Sequence, residues 1–247
     1  NNLWAVSENE RVYLQQDMRE NWEVIRIPEW LGVGDRVNSL FLTQEERKLY
    51  FNTNDGIAVY GIGTDEWIQM PKTGLFDTNI QVSLIDSKGQ LWVGTRENGV
   101  FTFDEGSWIW EHVAIEDGFS MFTVHAIFQD SQSSIWVAGN SLYRLKQDSN
   151  EWVLFSDGGR RFNTLANEWQ NPPRESIKLS DDFIQSIAGD ENGNLWFATL
   201  SGVVQYNPIS DTWANFDSND GLINDEVETV FIDMQNRVWL GTKEGVS

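Results

Sequence analysis

The chain has 247 residues, of which 40% are hydrophobic and 13% aromatic, with 20 Gly and 5 Pro. This composition supports one sizeable domain with a hydrophobic core and is too aromatic for a disordered chain. A formal net charge of −21 disfavours general nucleic-acid binding, because such a chain repels phosphates. The absence of Cys excludes disulfides and thiolate metal sites. The lack of an apolar run of about 18 residues predicts that this segment does not insert into a membrane.

An apolar residue followed by an aromatic one recurs along the chain, with steps of 46, 42, 44, 60 and 43 residues between aromatic members. A second series of tryptophans has steps of 45, 41, 44 and 61 residues, so one insertion of about 17 residues explains both long steps. A period of about 40–45 residues is typical of propeller blades and of helical-pair solenoids. The first series is Trp4, Tyr50, Trp92, Trp136, Trp196 and Trp239, and the second is Trp22, Trp67, Trp108, Trp152 and Trp213.

The repeat that begins at residue 80 decides between these two architectures. Residues 80–84 alternate between apolar and polar side chains, as a β-strand does, and residues 91–95 form a second predicted strand. The turn between them starts with Asp86 and ends with Gly89. Asn98-Gly99 is a strong hairpin-turn dipeptide before a third strand over 100–103, and a fourth strand begins near Trp108. Four short strands per repeat predict an all-β fold, a β-propeller of four-stranded antiparallel blades.

The two ends of the chain predict incomplete blades. The N-terminal part supplies strands two to four of a blade, and the C-terminal part supplies strand one, strand two and the start of strand three. Four complete blades lie between these part-blades. We therefore predict either a single propeller domain over 1–247 or, because the chain stops inside a predicted strand, an excerpt of a longer ring. It also opens without an initiator Met and shows no signal-peptide pattern.

An aspartate lies six residues before the aromatic member in four repeats. Its carboxylate suits the first position of a turn, where it accepts hydrogen bonds from nearby backbone N–H groups. We predict that these residues are structural, lie on the face opposite the insertion, and tolerate Asn at little cost. They are Asp86, Asp130, Asp190 and Asp233.

Residues 86–100 closely resemble the two-component regulator propeller repeat, with the pattern Asp-x-x-Gly-x-Leu-Trp-Val-Gly-Thr-x-x-x-Gly-Val. Residues 190–203 and 233–246 match it well, and 130–142 is a weaker copy with Ser133 where Gly is usual. In that family such repeats form propellers in extracytoplasmic sensor regions of bacterial signalling proteins, often hybrid histidine kinases, and many are thought to respond to oligosaccharides. The resemblance implies a periplasmic sensor for a saccharide or another small polar ligand, partnered by a neighbouring signalling domain or a second copy.

Ligands usually bind a propeller at one face, near the mouth of the central channel. Loops from strand two to strand three share a face with loops from strand four to the next strand one, and the insertion over 157–180 is one of the latter. Long loops in compact folds are often functional, and Arg and Trp side chains suit anionic groups and sugar rings. The alternative is a structural cap. The candidate ligand-binding residues are Arg36, Arg96, Asn140, Arg160, Arg161, Trp169 and Arg174, and the local basic group favours a carboxylated or sulfated saccharide.

Catalytic motifs are sparse in this chain. His112 and His125 read as ordinary strand residues, and the acidic stretch 217–221 reads as a solvated turn rather than a calcium loop. No P-loop and no motif around a carboxylate pair is present. We therefore expect no catalytic residue, metal or cofactor. Two alternatives stay open: a propeller lyase or glycoside-active enzyme with carboxylates at the channel mouth, and a platform for protein–protein interaction.

Overall fold

A computed structural model describes residues 2–6, 12–16, 22–25, 28, 30, 36–43, 47–113, 123–139, 141–146, 151–157, 161–163, 168–170 and 183–247. Within these ranges the chain forms strands and no α-helix, with one 3₁₀ turn at Ser218–Asp220. The strands are β1 (Asn2–Val6), β2 (Val12–Gln16), β3 (Glu23–Ile25), β4 (Val37–Thr43), β5 (Lys48–Thr53), β6 (Gly56–Gly61), β7 (Trp67–Gln69), β8 (Ile80–Ile85), β9 (Leu91–Thr95), β10 (Val100–Asp104), β11 (Ile109–His112), β12 (Val124–Gln129), β13 (Ile135–Gly139), β14 (Ser141–Lys146), β15 (Glu151–Asp157), β16 (Arg161–Asn163), β17 (Glu168–Gln170), β18 (Ile184–Gly189), β19 (Leu195–Thr199), β20 (Gly202–Asn207), β21 (Thr212–Phe216), β22 (Val227–Ile232), β23 (Val238–Thr242) and β24 (Gly245–Val246).

Consecutive strands pair antiparallel into separate sheets, which are the blades of a β-propeller. Four sheets have four strands, β4–β7, β8–β11, β12–β15 and β18–β21, and three-stranded sheets β1–β3 and β22–β24 stand at the two ends. We number these blades 1 to 6 in chain order. The first strands β4, β8, β12, β18 and β22 contact one another in that order, so they line the central axis. The predicted fold of four complete blades with part-blades at both ends is confirmed.

The hydrophobic core lies between blades, because each sheet buries both faces against its neighbours. Trp136 of blade 4 is 0% exposed and packs on Phe197 and Tyr206 of blade 5, with ring centroids 6.1 and 5.9 Å away. Tyr50 and Trp92 are buried at the corresponding position of blades 2 and 3. The same position in blade 6 is Trp239, which is 41% exposed. The wide aromatic surface therefore stabilises the chain where a following blade covers it.

The four predicted turn aspartates share one arrangement of hydrogen bonds. In blade 5, Asp190 Oδ1 accepts from the backbone N–H groups of Asn192 and Asn194, both at 2.9 Å. Its Oδ2 accepts from Trp196 Nε1 at 3.0 Å. The same three bonds form at Asp86, Asp130 and Asp233. Each of these carboxylates thus bonds both to its own turn and to the tryptophan six residues later, and we name this arrangement the Asp–Trp link.

The Asp–Trp link changes the expected effect on stability of replacing these aspartates by Asn. An Asn can still accept the backbone bonds, but its Nδ2 group would meet the indole N–H, so that two donors face each other. Asp86 and Asp130 are buried, which makes an unpaired donor costly. The structure therefore points to a clear loss of stability where the sequence suggested a mild one.

The second tryptophan series needs one correction, in blade 3. Trp108 is 56% exposed, sits in the turn before β11 and has a positive φ of 58°. Trp110 is 2% exposed and pairs with Phe103 across the sheet, as Trp213 pairs with Tyr206 in blade 5. Trp110 lies seven residues after its partner Phe103, as Trp213 lies seven residues after Tyr206, so the packing position is Trp110 and spacing alone selected the wrong tryptophan.

The insertion between blades 4 and 5 contains secondary structure. Strands β16 and β17 form a two-stranded antiparallel sheet, in which Arg161 lies opposite Gln170 and Phe162 opposite Trp169. This hairpin pairs backbone groups that an open loop would leave to water. It differs from the plain loop predicted over 157–180.

Blade stacking can be tested by comparing two equivalent tryptophans. We expect Trp136→Ala to lower the free energy of unfolding by about 3–5 kcal/mol, because it opens a cavity between two blades. Trp239→Ala is expected to cost about 1–2 kcal/mol, because that ring is already partly in water. Urea unfolding followed by circular dichroism measures both losses. Equal losses would contradict the role assigned to the following blade.

The Asp–Trp link can be tested through pH. Partial burial acts to raise the pKa of Asp190, but hydrogen bonds from Trp196, Asn194 and Asn192 outweigh it and lower that pKa. A depressed pKa in the folded state stabilises the protein above the unfolded value of 3.8, and this contribution is lost as the pH falls. We expect Asp190→Asn to cost about 1–3 kcal/mol at pH 7 and progressively less below pH 3.8.

Urea unfolding of wild type and variant at several pH values measures this difference. Glu191→Gln, which removes a charge from the adjacent exposed position, is the control and is expected to change little. A loss at Asp190→Asn that does not depend on pH would contradict the electrostatic origin of the link.

Candidate functional site

One face of the propeller carries the loops between strands two and three together with the connections from strand four to the next strand one. Backbone hydrogen bonds join the two sets of loops directly. Asn54 N–H donates to Arg36 O, Arg96 N–H to Asn79 O, and Gly202 N–H to Asp225 O. We call this side the mouth face, because the first strands that line the axis begin here.

Each first strand of blades 2 to 6 begins with a β-bulge at its second residue. In β12, Val124 pairs with Gly139 and Ala126 pairs with Ala138, so His125 is left between them without a partner in the ladder. Bulges re-aim side chains and interrupt pairing, and they are common beside functional sites. The bulged residues are Asn38, Gln81, His125, Gln185 and Glu228.

All five bulged residues are polar, and each follows the buried or half-buried apolar residue that opens its strand. Because the bulges occur at equivalent positions of consecutive blades, they place these side chains around the axis at the mouth face. Asn38, Gln81, His125 and Gln185 are half-buried and Glu228 is exposed. We call this set the mouth ring. It is the candidate functional site.

Hydrogen bonds across blades fix part of the mouth ring. Asn38 Nδ2 donates to Ile80 O at 2.8 Å and to Asn79 Oδ1 at 2.9 Å, which fixes the orientation of the Asn38 amide. Asn79 Oδ1 also accepts from Gln81 Nε2 at 2.7 Å. Within the described residues, Asn38 Oδ1, Gln81 Oε1 and Asn79 Nδ2 have no partner. Blades 2 and 3 therefore present two acceptors, Asn38 Oδ1 and Gln81 Oε1, and two donor groups, Asn79 Nδ2 and the second Gln81 N–H, in a pre-organised network.

Blades 4 and 5 contribute a second pair. His125 Nδ1 lies 2.9 Å from Gln185 Oε1, and because an amide oxygen only accepts, Nδ1 carries the proton. In the neutral ring, Nε2 is then an acceptor. The exposed ring of Phe183 lies 6.5 Å from the His125 ring, centroid to centroid. An apolar ring surface therefore borders the polar groups of the mouth ring.

The rim of the mouth face is held by threonines that end the second strands. Thr53, Thr95, Thr199 and Thr242 each donate to the backbone carbonyl of a residue three or four positions later. Gly139 takes this position in blade 4, where a Cβ would lie 2.0 Å from Thr123 O. These residues shape the rim, and their side chains are occupied by local bonds.

Charged groups on the mouth face are partly paired. Lys72 bonds to Asp55 at 2.6 Å, and Lys243 bonds to Glu226. The hydrogen bond to Glu226, together with the charges of Glu226 and Glu228, raises the pKa of Lys243. The exposed Phe76 ring adds apolar surface to this face and packs against Phe101 and His112.

The predicted ligand-binding residues lie in different parts of the structure, and some lie outside the described residues. Arg36 and Arg96 are exposed and lie on the mouth face, where Arg96 O accepts a bond from Thr123 Oγ1 at 2.7 Å. Arg161 is the first residue of strand β16, and Trp169 is the middle residue of strand β17. Asn140, Arg160 and Arg174 lie outside the described residues. Their roles in binding stay predictions.

The sequence motifs do not predict the mouth ring, and from sequence His125 is expected to be an ordinary strand residue. A signal was present in the sequence. The five ring positions are 43, 44, 60 and 43 residues apart, which follows the long and short steps of the aromatic series. Each ring position holds a polar residue that comes directly after the apolar residue beginning the first strand of its blade. His112, by contrast, lies on outer strand β11 and bonds to Asn98 O.

A pocket of about 410 Å³ lies away from the mouth face, at the turns between strands one and two and between three and four. Its lining includes Asp86, Trp92, Phe103 and Glu105. The Asp86 carboxylate and the Trp92 indole are bonded to each other in the Asp–Trp link. We therefore assign this pocket to the structural side of the propeller.

The described part of the chain contains no group of three or more His, Asp or Glu side chains arranged to hold a metal ion. Across the same ranges, no helix has the length and apolar character that a membrane span requires.

Residues 74–97 and 178–201 match the family model for the two-component regulator propeller. These two segments are similar to the repeats of that family. Histidine kinase P4 of Formosa agariphila is 34% identical over 95 residues, which cover 35% of this chain and 7% of that protein. The chain thus spans a small part of that kinase.

Solved structures share this propeller fold. The extracellular domain of BT4673 from B. thetaiotaomicron, described as a one component system, is 18% identical, with a TM-score of 0.73 over 100% of this chain and 31% of that one. Virginiamycin B lyase from Staphylococcus aureus is 13% identical, with a TM-score of 0.67 over 98% of this chain and 77% of that one. At these identities the likeness shows the fold, and the function must be argued from the site.

The polar groups near the axis can be separated into structural and available ones. Asn52 is fully buried, and its Nδ2 bridges Ser39 and Ser83 of neighbouring blades at 2.9 and 3.0 Å. We expect Asn52→Ala to lower the free energy of unfolding by about 1–3 kcal/mol, because the buried Ser83 hydroxyl and the half-buried Ser39 hydroxyl lose a donor.

Gln81→Ala is expected to cost less than about 1 kcal/mol, because its side chain is half-buried and partly free. Urea unfolding compares the two variants. A loss at Gln81 as large as that at Asn52 would show that the ring position serves stability.

Proposed function

We infer that this chain is part of an extracytoplasmic sensor of a bacterial signalling protein, and that it binds a small polar ligand, a saccharide, at the mouth ring. The observation that carries this proposal is the ring of five bulged polar residues around the axis. A polar residue at each bulge of five blades is unnecessary for stacking the blades, which the aromatic series accomplishes elsewhere. The hydrogen-bonding groups that these residues leave free support a role in binding.

The chemistry of the mouth face suits a saccharide. Amide and imidazole groups of Asn38, Gln81 and His125 can bond to hydroxyls, which both donate and accept. The exposed rings of Phe76 and Phe183 offer apolar faces on which a sugar ring can stack. Half-buried polar groups that are already held in place bind a ligand at a smaller entropic cost than free side chains do.

The repeat family and the kinase relative support the signalling role. Two-component regulator propeller repeats take their name from signalling systems, and the 34% identical stretch belongs to a histidine kinase. The extracellular domain from B. thetaiotaomicron supports a place outside the cytoplasm. Binding would signal by favouring one arrangement of the propeller relative to a neighbouring domain or second copy, which requires different affinities for the two arrangements.

The proposed activity is binding without catalysis. Virginiamycin B lyase shares the fold, but a shared fold does not transfer a reaction. In the described part of the mouth ring, the titratable groups are His125 and Glu228, which belong to different blades with Gln185 between them along the ring. This arrangement suits recognition of hydroxyl groups better than a paired acid and base.

The test is saccharide binding by ring variants of the protein. A panel of neutral, anionic and amine-bearing oligosaccharides is screened by thermal shift, and hits are measured by calorimetry. We expect Gln81→Ala and His125→Ala each to weaken binding about tenfold, the usual effect of losing a hydrogen bond in a binding site. Gln69→Ala, on exposed outer strand β7, is the matched control and keeps full affinity.

Two results would contradict the proposal. The first is a hit whose affinity is unchanged in both ring variants, because binding would then occur elsewhere. The second is product formation from a hit on prolonged incubation, which would indicate the enzymatic alternative.

A further inference from the structure

Asn79 lies directly before β8 and bonds to two members of the mouth ring at once. Its side-chain oxygen Oδ1 accepts a hydrogen bond from Asn38 Nδ2 at 2.9 Å and another from Gln81 Nε2 at 2.7 Å. The two donors come from different blades, since Asn38 belongs to β4 of blade 2 and Gln81 to β8 of blade 3. One amide oxygen thus joins the side chains of two neighbouring blades.

These two bonds decide which polar atoms of Asn38 and Gln81 stay available to a ligand. Asn38 Nδ2 also donates to Ile80 O at 2.8 Å, so both of its hydrogens are used and the oxygen of that amide remains. Gln81 keeps its oxygen and one N–H. The terminal torsion of an unheld carboxamide is soft, so its oxygen and nitrogen can exchange places. Asn79 therefore fixes the pattern of hydrogen-bonding groups at blades 2 and 3.

The backbone of Asn79 is itself held from two sides. Its N–H donates to Asp77 Oδ1 at 2.9 Å, and its carbonyl oxygen accepts from the N–H of Arg96 at 3.0 Å. The other carboxylate oxygen of Asp77 accepts from the N–H of Glu97 at 2.7 Å, which ties the segment before β8 to the turn between β9 and β10. The Asn79 side chain thus extends from a backbone with fixed partners, which a group that orients other groups requires.

The blade fold does not need a carboxamide at this position. The carbonyl oxygen of Arg36, the equivalent residue of blade 2, accepts from the N–H of Asn54 as that of Asn79 accepts from Arg96. The backbone role is therefore shared between blades. In the part of the chain that the structure describes, the side-chain bonds to two ring residues occur at Asn79 alone. The residues directly before the other first strands are Arg36, Thr123, Phe183 and Glu226.

We propose that Asn79 is the positioning residue of the mouth ring, and that its side-chain oxygen orients the Asn38 and Gln81 amides for a ligand. This proposal rests on the proposed function, because it names the residue that prepares the same site. Groups already held in their binding orientation lose less entropy when a ligand arrives. A ring without the Asn79 side chain should therefore bind more weakly although its contact residues are intact.

The first measurement needs no ligand. In proton–nitrogen NMR spectra, the side-chain amide signals of Asn38 and Gln81 are assigned from their loss in Asn38→Ala and Gln81→Ala. We expect Asn79→Ala to speed exchange of these amide hydrogens with water at least about tenfold, because each amide loses a hydrogen bond. Asn79→Asp keeps an acceptor at the same place and is expected to preserve slow exchange. Asn192→Ala removes the same side chain from an exposed turn on the opposite face and is the control.

The second measurement is calorimetric titration with cellotetraose, chitotetraose and a galacturonic acid tetramer. For each tetramer that the wild type binds, we expect Asn79→Ala to weaken binding about three- to tenfold, as for the loss of one ordered group. Asn79→Asp is expected to recover most of the lost affinity for the two neutral tetramers. Asn192→Ala leaves affinity unchanged.

Double variants separate positioning from direct contact. If Asn79 acts through the two amides, the loss caused by Asn79→Ala shrinks in the Asn38→Ala background and in the Gln81→Ala background. If Asn79 Nδ2 contacts the saccharide itself, the loss has the same size in both backgrounds and in the wild type. Thermal unfolding confirms that every variant compared is folded.

Three results would overturn the positioning role. Slow amide exchange in Asn79→Ala would show that Asn79 does not orient the ring, and an equal loss of affinity in all backgrounds would make it a contact residue. In both cases the sensor site stands. If neither these tetramers nor the wider oligosaccharide panel binds, the proposed function fails, and the claim that Asn79 prepares the ring for a ligand fails with it.

Discussion

A carboxylate that bonds at once to its own turn and to an indole six residues later sets the geometry of this propeller. It recurs at Asp86, Asp130, Asp190 and Asp233 with nearly the same distances. The link closes the turn between the first two strands of a blade and fixes the plane of the tryptophan ring. The ring then packs against the next blade where one follows. One local interaction thus controls both the turn and the orientation of a large stacking surface.

The two ends of each first strand serve different purposes for a physical reason. At one end, the Asp–Trp link uses every polar group in local bonds, which favours rigidity. At the other end, a β-bulge removes one residue from the ladder. A residue outside the ladder and near the axis can be polar without placing an unpaired group in the core. Repetition of the blade therefore repeats a rigid end and an available end, and the available ends meet at the channel mouth.

Bonds across blades give the mouth ring a means of coupling binding to shape. Asn38 of blade 2 bonds to Asn79 of blade 3, and His125 of blade 4 bonds to Gln185 of blade 5. A ligand that contacts Gln81 and His125 would connect these two pairs. Such a contact would act on the relative position of blades rather than on one loop. A sensor needs this property, because a ligand shifts an equilibrium only through contacts that differ between its states.

The sequence alone determined the fold class, the four complete blades and the role of the turn aspartates, because each depends on residues close together in the chain. Spacing misassigned Trp108, which lies exposed in a turn, because strand pairing and not the repeat period places Trp110 opposite Phe103. The mouth ring was decided by tertiary structure. Its members lie 43 to 60 residues apart in sequence. A bulge, which is a matter of strand register, places each of them at the axis, and register depends on pairing with the neighbouring strand.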